Sequence, residues 1–114
     1  MTDRESADRR LAVYGTLAPG RENHYQLAGL QGRWRPGTVR GTVLDSGWGS
    51  GEGYPALLLE PAGPVVAVQV FESDDLPSRW AQLDEFEGTG YRRVVATVQV
   101  EDGEVPACIY VANT

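Results

Sequence analysis

Two alternating runs, Tyr91 to Glu101 and Glu104 to Val111, flank the dipeptide Asp102-Gly103. A period of two sends successive side chains to opposite faces of a strand, and Asp-Gly between two such runs signals a two-residue hairpin of the I′ kind. Pairing Glu101 with Glu104 sets Val100, Val98, Ala96 and Val94 opposite Val105, Ala107, Ile109 and Val111, giving one continuous apolar face. Tyr110, Cys108, Thr97 and Val95 project from the other. That face is too apolar for solvent and too polar for a plain core, as the wall of a cavity is. The hairpin commits the chain to a fold built on β-structure.

The remaining strands come in short pieces. Leu11 to Leu17 reads as a buried strand running into a Gly-containing turn, and Thr38 to Leu44 alternates. Ala56 to Leu59 and Val65 to Phe71 are joined by Glu60-Pro-Ala-Gly-Pro64. Asn23 to Leu30 suits a short helix with Asn23 as its N-cap. Residues 45–53 carry Gly47, Gly49, Gly51 and Gly53, a loop that reads either as an active-site lid or as a mobile surface segment. Many short strands with few helices predict an α+β fold: a compact, mixed, mainly antiparallel β-barrel with two or so short helices packed outside. A chain of 114 residues has room for one core. Residues 11–114 are therefore expected to form a single domain behind a disordered leader, residues 1–10, which is polar and carries both signs of charge.

A second periodicity singles out one carboxylate. Leu76, Trp80, Leu83 and Glu87 are spaced to share one face of a helix, capped by Ser73 or Asp74, with Pro77 in its first turn and Gly88 as its stop. Asp75, Asp84 and Glu85 fall off the stripe and read as solvated. If the stripe faces the core, desolvation and the negative end of the helix dipole both disfavour the ionised form of Glu87, raising its pKa toward what an acid/base catalyst needs. The other reading is that Glu87 turns out to water at a frayed end.

Absences narrow the chemistry. All ten basic residues are Arg, so a lysine Schiff base, a pyridoxal phosphate site and a P-loop are excluded. One His and one Cys are too few for a zinc site built from those ligands. The net charge of −6, without a basic run, argues against a nucleic-acid partner. The longest mainly apolar run, Val65 to Phe71, is far short of a membrane span, and the first ten residues lack the apolar segment of a signal peptide. A single Cys108 cannot form an internal disulfide, which fits a reducing, cytoplasmic setting. Carboxylate, tyrosine and backbone-amide chemistry is what remains.

Three blocks, in order, resemble the gamma-glutamyl cyclotransferase superfamily: Val13-Tyr14-Gly15-Thr16-Leu17 with Pro19-Gly20 and Asn23; Tyr54-Pro55-Ala56-Leu57; and Leu83-Asp84-Glu85-Phe86-Glu87-Gly88 with Tyr91-Arg92-Arg93 and a closing strand holding Tyr110. The likeness spans about residues 11 to 112 and is nearest the short branch that includes gamma-glutamylamine cyclotransferases. It implies a barrel-like α/β fold with a cavity beside the Tyr-Gly-Thr-Leu loop. It also implies substrate binding by Tyr14, Gly15, Thr16 and Leu17, acid/base catalysis by Glu87, and Tyr110 near the substrate. The implied reaction is an acyltransferase- or lyase-type step, independent of metal and cofactor. The alpha-amine of a gamma-glutamyl substrate attacks its own gamma-carbonyl, releasing 5-oxoproline and a free amine or amino acid. The leaving amine and the oligomeric state stay open.

Other residues are weighed beside these. His24, the only imidazole, would need a nucleophile such as Ser46, Ser50 or Cys108, none of which lies in an elbow motif, and it reads better as a surface or helix-cap residue. Cys108 suits a small, semi-buried position. Arg21 and Arg40 are candidate carboxylate binders that read more simply as solvated charge. Tyr91 suits either a lid or a strand start, and Trp34 and Trp48 suit either cavity lining or core. As a class, the alternative to the enzyme is a non-catalytic member of the same fold that binds a small ligand or a protein. A hydrolase, with water replacing the alpha-amine, is a third reading.

Overall fold

In the computed structural model, residues 7–14, 27, 29–44 and 56–112 are described. The alternating runs become β1 (Arg10–Val13), β2 (Arg33–Leu44), β3 (Ala56–Leu59), β4 (Val65–Glu72), β5 (Tyr91–Val100) and β6 (Gly103–Ala112). Between β4 and β5 lie a single 3-10 turn, Leu76–Ser78, and a helix, α1 (Trp80–Glu87). Five strands form a closed mixed barrel in the order β2-β4-β1-β6-β5, with β3 paired outside the ring to β2. The β1–β6 pairing is parallel, and the other pairings are antiparallel.

The ring closes through one pair, Thr38 with Gln99. Gly37, the preceding residue, makes the approach possible: a Cβ there would lie 2.7 Å from Val98 Cγ1 and 2.9 Å from the Gln99 carbonyl. Pro36 and Gly37 interrupt the sequence pattern, so a strand was expected only from Thr38; both are paired with β4, and β2 starts at Arg33.

Alternation divides the apolar residues between two cores. Ala12, Val39, Val68, Val70, Val98, Ala107, Ile109 and Val111 fill the barrel, joined by Leu57 of β3. Leu11, Val13, Phe71, Cys108 and Tyr110 point outward and are covered by Leu76, Trp80 and Leu83. The helical stripe therefore does face a core, and burying each such leucine contributes roughly 1.5–3 kcal/mol. The segment bearing it is not one helix, however. Pro77 sits in the 3-10 turn, and α1 begins only after Arg79, which provides no side-chain cap. Ser73, buried at the head of the turn, accepts from the Asp75 N–H at 3.0 Å and donates to the Gln31 carbonyl at 2.5 Å.

The terminal hairpin keeps its expected faces but not its register. Val100 pairs with Gly103 and Val98 with Val105, so the two-residue turn is Glu101-Asp102. A I′ turn needs positive φ at both central residues, yet among the described residues only glycines take positive φ, here Gly103 at 140°. The turn moves back by one residue, the pairing shifts by two, and an even shift leaves every side chain on its own face. The mixed face is not a continuous cavity wall: Cys108 and Tyr110 enter the outer core, whereas Val95 and Thr97 are exposed.

The expected leader, residues 1–10, overlaps the packed chain. Ala7 is buried, the Asp8 carbonyl accepts from the Trp80 indole N–H at 3.0 Å, and β1 starts at Arg10. Arg9 pairs with Asp74 at 3.3 Å. Indole burial thus recruits residues 7–10 to the fold. Of the expected helix over Asn23 to Leu30, the described part places Leu27 in the outer core, with its carbonyl accepting from the Leu30 N–H. No described helix is long and apolar enough to cross a membrane.

Candidate active site

Glu87 is the last residue of α1. The helix stops there because Gly88 takes φ 81°, a conformation strained for a residue with a Cβ, and its N–H bonds to the Asp84 carbonyl. The Glu87 side chain is half-buried. Burial first, and the neighbouring Asp84 carboxylate second, push its carboxyl up to about 7. The negative end of the helix dipole acts in the same direction. Glu87 thus lies between the two readings, neither sealed in the core nor turned fully out to water.

Tyr14 follows directly on β1. Its hydroxyl donates to the Tyr110 carbonyl at 2.7 Å and accepts from the Leu57 N–H at 2.9 Å, joining the ends of β1, β6 and β3. Burial pushes its phenol far above the ordinary tyrosine value, the Leu57 bond opposes this, and Tyr91 and Glu87 add to it. The Tyr110 hydroxyl donates to Asp84 Oδ1 at 2.6 Å, and burial followed by that bond raises its phenol. Tyr91, at the start of β5, is raised by burial and then by the Glu87 charge. Three neutral tyrosines thus lie within electrostatic reach of one carboxyl that titrates near neutrality. Such a group takes up and returns a proton at pH 7 with little driving force lost either way. A pocket of about 530 Å³ opens at the C-terminal end of α1, lined by Asp84, Glu85, Gly88, Tyr91, Arg93 and Tyr110 among others; Glu87 and Tyr14 are not part of its lining.

The structure brings Glu87, Tyr14 and Tyr110 to one end of the barrel. Gly15, Thr16 and Leu17 lie outside the described residues, as do His24, Arg21, Ser46, Ser50, Trp48 and the loop 45–53. Trp34 packs on Phe71, ring centroids 4.8 Å apart, and so belongs to the outer core. Arg40 donates to the Gly63 carbonyl at 3.2 Å from an exposed position. The Cys108 thiol is buried and pushed up to about 11, chiefly by that burial, so it carries little thiolate at neutral pH. Among the described residues, no three His, Cys, Asp or Glu side chains gather to hold a metal.

Sequence reasoning missed Asp84 and Arg93. Far from being simply solvated, Asp84 accepts from Tyr110 and pairs with Arg93 at 3.5 Å. The Arg93 guanidinium also lies over the Trp80 ring, 4.5 Å from its centroid. One signal was available: Asp84 stands three residues before Glu87, so the two are neighbours on the helix surface.

Comparison with known proteins adds ancestry to this geometry. The family model described as gamma-glutamyl cyclotransferase, AIG2-like matches residues 11–114. A gamma-L-glutamyl-butirosin B gamma-glutamyl cyclotransferase from Niallia circulans is 32% identical over 109 residues, covering 90% of this chain and 66% of that protein. The crystal structure of an AIG2-like protein from Mus musculus superposes with a TM-score of 0.74 at 26% identity, over 93% of this chain and 78% of the mouse chain. YkqA from Bacillus subtilis superposes with a TM-score of 0.71 at 26% identity, over 92% of this chain but 36% of its own. The match runs from β1 through the whole barrel and takes in both Tyr14 and Glu87, and the chain belongs to the gamma-glutamyl cyclotransferase, AIG2-like family.

Proposed function

We propose that the protein is a gamma-glutamyl cyclotransferase that releases 5-oxoproline from a gamma-glutamyl amine, peptide or related metabolite, with Glu87 as its acid/base. The observation that carries this reading is the half-buried Glu87 carboxyl, pushed up to about 7 at the end of α1. In the reaction the substrate's alpha-ammonium gives a proton to ionised Glu87, and the freed amine forms a bond to the gamma-carbonyl carbon. The bond from that carbon to the departing nitrogen then breaks as Glu87 returns the proton to it, and the second proton of the ring nitrogen passes to the released amine, which departs as an ammonium ion. Nucleophile and electrophile share one molecule, so correct folding of the substrate does much of the catalytic work. Backbone N–H groups of Gly15, Thr16 and Leu17 would hold the developing oxyanion or the substrate carboxylate. The hydroxyl protons of Tyr14 and Tyr110 are already directed at the Tyr110 carbonyl and Asp84. These two residues therefore serve the site by fixing its walls.

The name of the Niallia circulans relative supports gamma-glutamyl chemistry and points to a gamma-glutamyl amide as one substrate class to try. A mass-spectrometric screen of gamma-glutamyl amines and dipeptides for 5-oxoproline identifies the substrate. On that substrate, Glu87→Gln is expected to lose at least about a hundredfold in kcat, the usual scale of general acid/base catalysis, with the circular dichroism spectrum unchanged. Full activity in Glu87→Gln overturns the mechanism. Blocking the alpha-amine separates lactam formation, which stops, from hydrolysis, which continues.

A further inference from the structure

A chain of polar contacts ends on the residue one turn before Glu87. The Leu57 N–H donates to Tyr14, Tyr14 donates to the backbone of Tyr110, and the side chain of Tyr110 donates to Asp84. From the other side Arg93 pairs with Asp84 while lying over Trp80, so it grips α1 at two successive turns. α1 has eight residues, too few to hold its own last turn in water. Its apolar anchors, Trp80 and Leu83, both lie in its first half, whereas Asp84, Glu85 and Phe86 are exposed. Asp84 is thus the polar tie of the second half, on the side of the helix that neighbours Glu87.

We infer that Asp84 is a positioning residue for Glu87: clamped by Tyr110 and Arg93, its carboxylate fixes the last turn of α1 against β5 and β6 and places one negative charge beside the acid/base group. The inference rests on the proposed role of Glu87. Among the described residues, the ionisable groups that feel Glu87 are Asp84 on its own helix, Tyr14 at the end of β1, Tyr91 on β5 and Tyr110 on β6. The tyrosines are neutral near pH 7, and Arg93 acts through its pairing with Asp84. Asp84 is therefore the carboxylate of this set that bears on Glu87, from one turn earlier on the same helix, where Tyr110 and Arg93 hold it.

Carbon-detected NMR titration of Glu87 in the full chain tests this without a substrate. Asp84→Asn keeps an acceptor for Tyr110 and removes the charge, and it is expected to lower the Glu87 midpoint by about half to one pH unit, as a unit charge about 6 Å away in a largely aqueous setting does. Arg93→Gln leaves Asp84 unscreened and is expected to move the midpoint upward. The same opposed shifts are expected in the acid limb of kcat/KM against pH. Midpoints that stay at the wild-type value in both variants, or move together, overturn the inference and leave Asp84 a plain structural tie. Should Asp84→Asn not fold, Arg93→Gln alone decides by the sign of its shift. Activity of Glu87→Gln is read separately, so a failed acid/base assignment is not mistaken for a failed role of Asp84.

Discussion

Tyr14 shows how one side chain can fasten three strands of a fold. Its hydroxyl sits between two backbone groups, the Tyr110 carbonyl and the Leu57 N–H, and satisfies both. Tyr14→Phe removes the oxygen and leaves a donor and an acceptor unpaired in a part-buried place. The expected loss is about 1–3 kcal/mol in urea unfolding, because orphaned buried groups carry the full desolvation penalty. Activity is expected to fall as well, since Gly15, Thr16 and Leu17 follow directly on the anchored residue; a Tyr14→Phe variant of wild-type stability would show that the anchor carries no load. The helical stripe was enough to single out Glu87, whereas Tyr14 came only from the resemblance to the cyclotransferase family. Asp84 was not legible in the same way. Its importance comes from Tyr110, twenty-six positions on, and an off-stripe carboxylate on an isolated helix looks solvated until β5 and β6 are laid against it.

The strand elements show which features of pairing a sequence carries. Faces follow from a period of two, so the outward set with Cys108 and Tyr110 and the inward set with Ala107 and Ile109 could be read off directly. Register depends on which residue takes the positive φ at the turn; that residue is Gly103, and the pairing moves by two. The start of β2 was hidden for a related reason. Pro36 and Gly37 look like breakers, yet Gly37 is where the barrel closes on β5. Gly37→Ala puts a methyl 2.7 Å from Val98 Cγ1 at the closing pair. The strands there are expected to separate, at a cost of about 1–3 kcal/mol, the usual range for overpacking. A drop in the urea midpoint with faster amide exchange at Thr38 and Gln99 checks this, and unchanged exchange at those two positions argues that the closure does not depend on the glycine.

For the whole molecule, two glutamates among the described residues, with opposite shifts, bear on the dependence of stability on pH. Glu72 joins three strands: it accepts from Arg10 Nε at 2.6 Å and pairs with Arg33 at 3.1 Å. Those bonds, the Arg10 one first, hold its carboxyl below the ordinary value of 4.5. Its contribution is therefore present above pH 4.5 and is lost as pH falls through the lower folded value. Glu87 works the other way. Its folded value of about 7 lies above 4.5, so the folded chain binds that proton more tightly than the unfolded chain does. This contribution is complete below pH 4.5 and is lost as pH rises through 7. Stability should thus peak between the two, and the alkaline fall belongs to the group that the proposed reaction needs ionised. A shift of this size, discounted for partial exposure, amounts to about 1–2 kcal/mol between pH 5 and pH 8. Glu87→Gln carries no proton to lose, so its unfolding free energy is expected to stay level over that interval while the wild type declines. Urea unfolding of both proteins at pH 5, 6.5 and 8 makes the comparison. Parallel curves would mean that Glu87 titrates as an ordinary glutamate, whereas a gap widening with pH would measure the strain of keeping a part-buried carboxylate ionised beside Asp84, the state from which it accepts the substrate's proton.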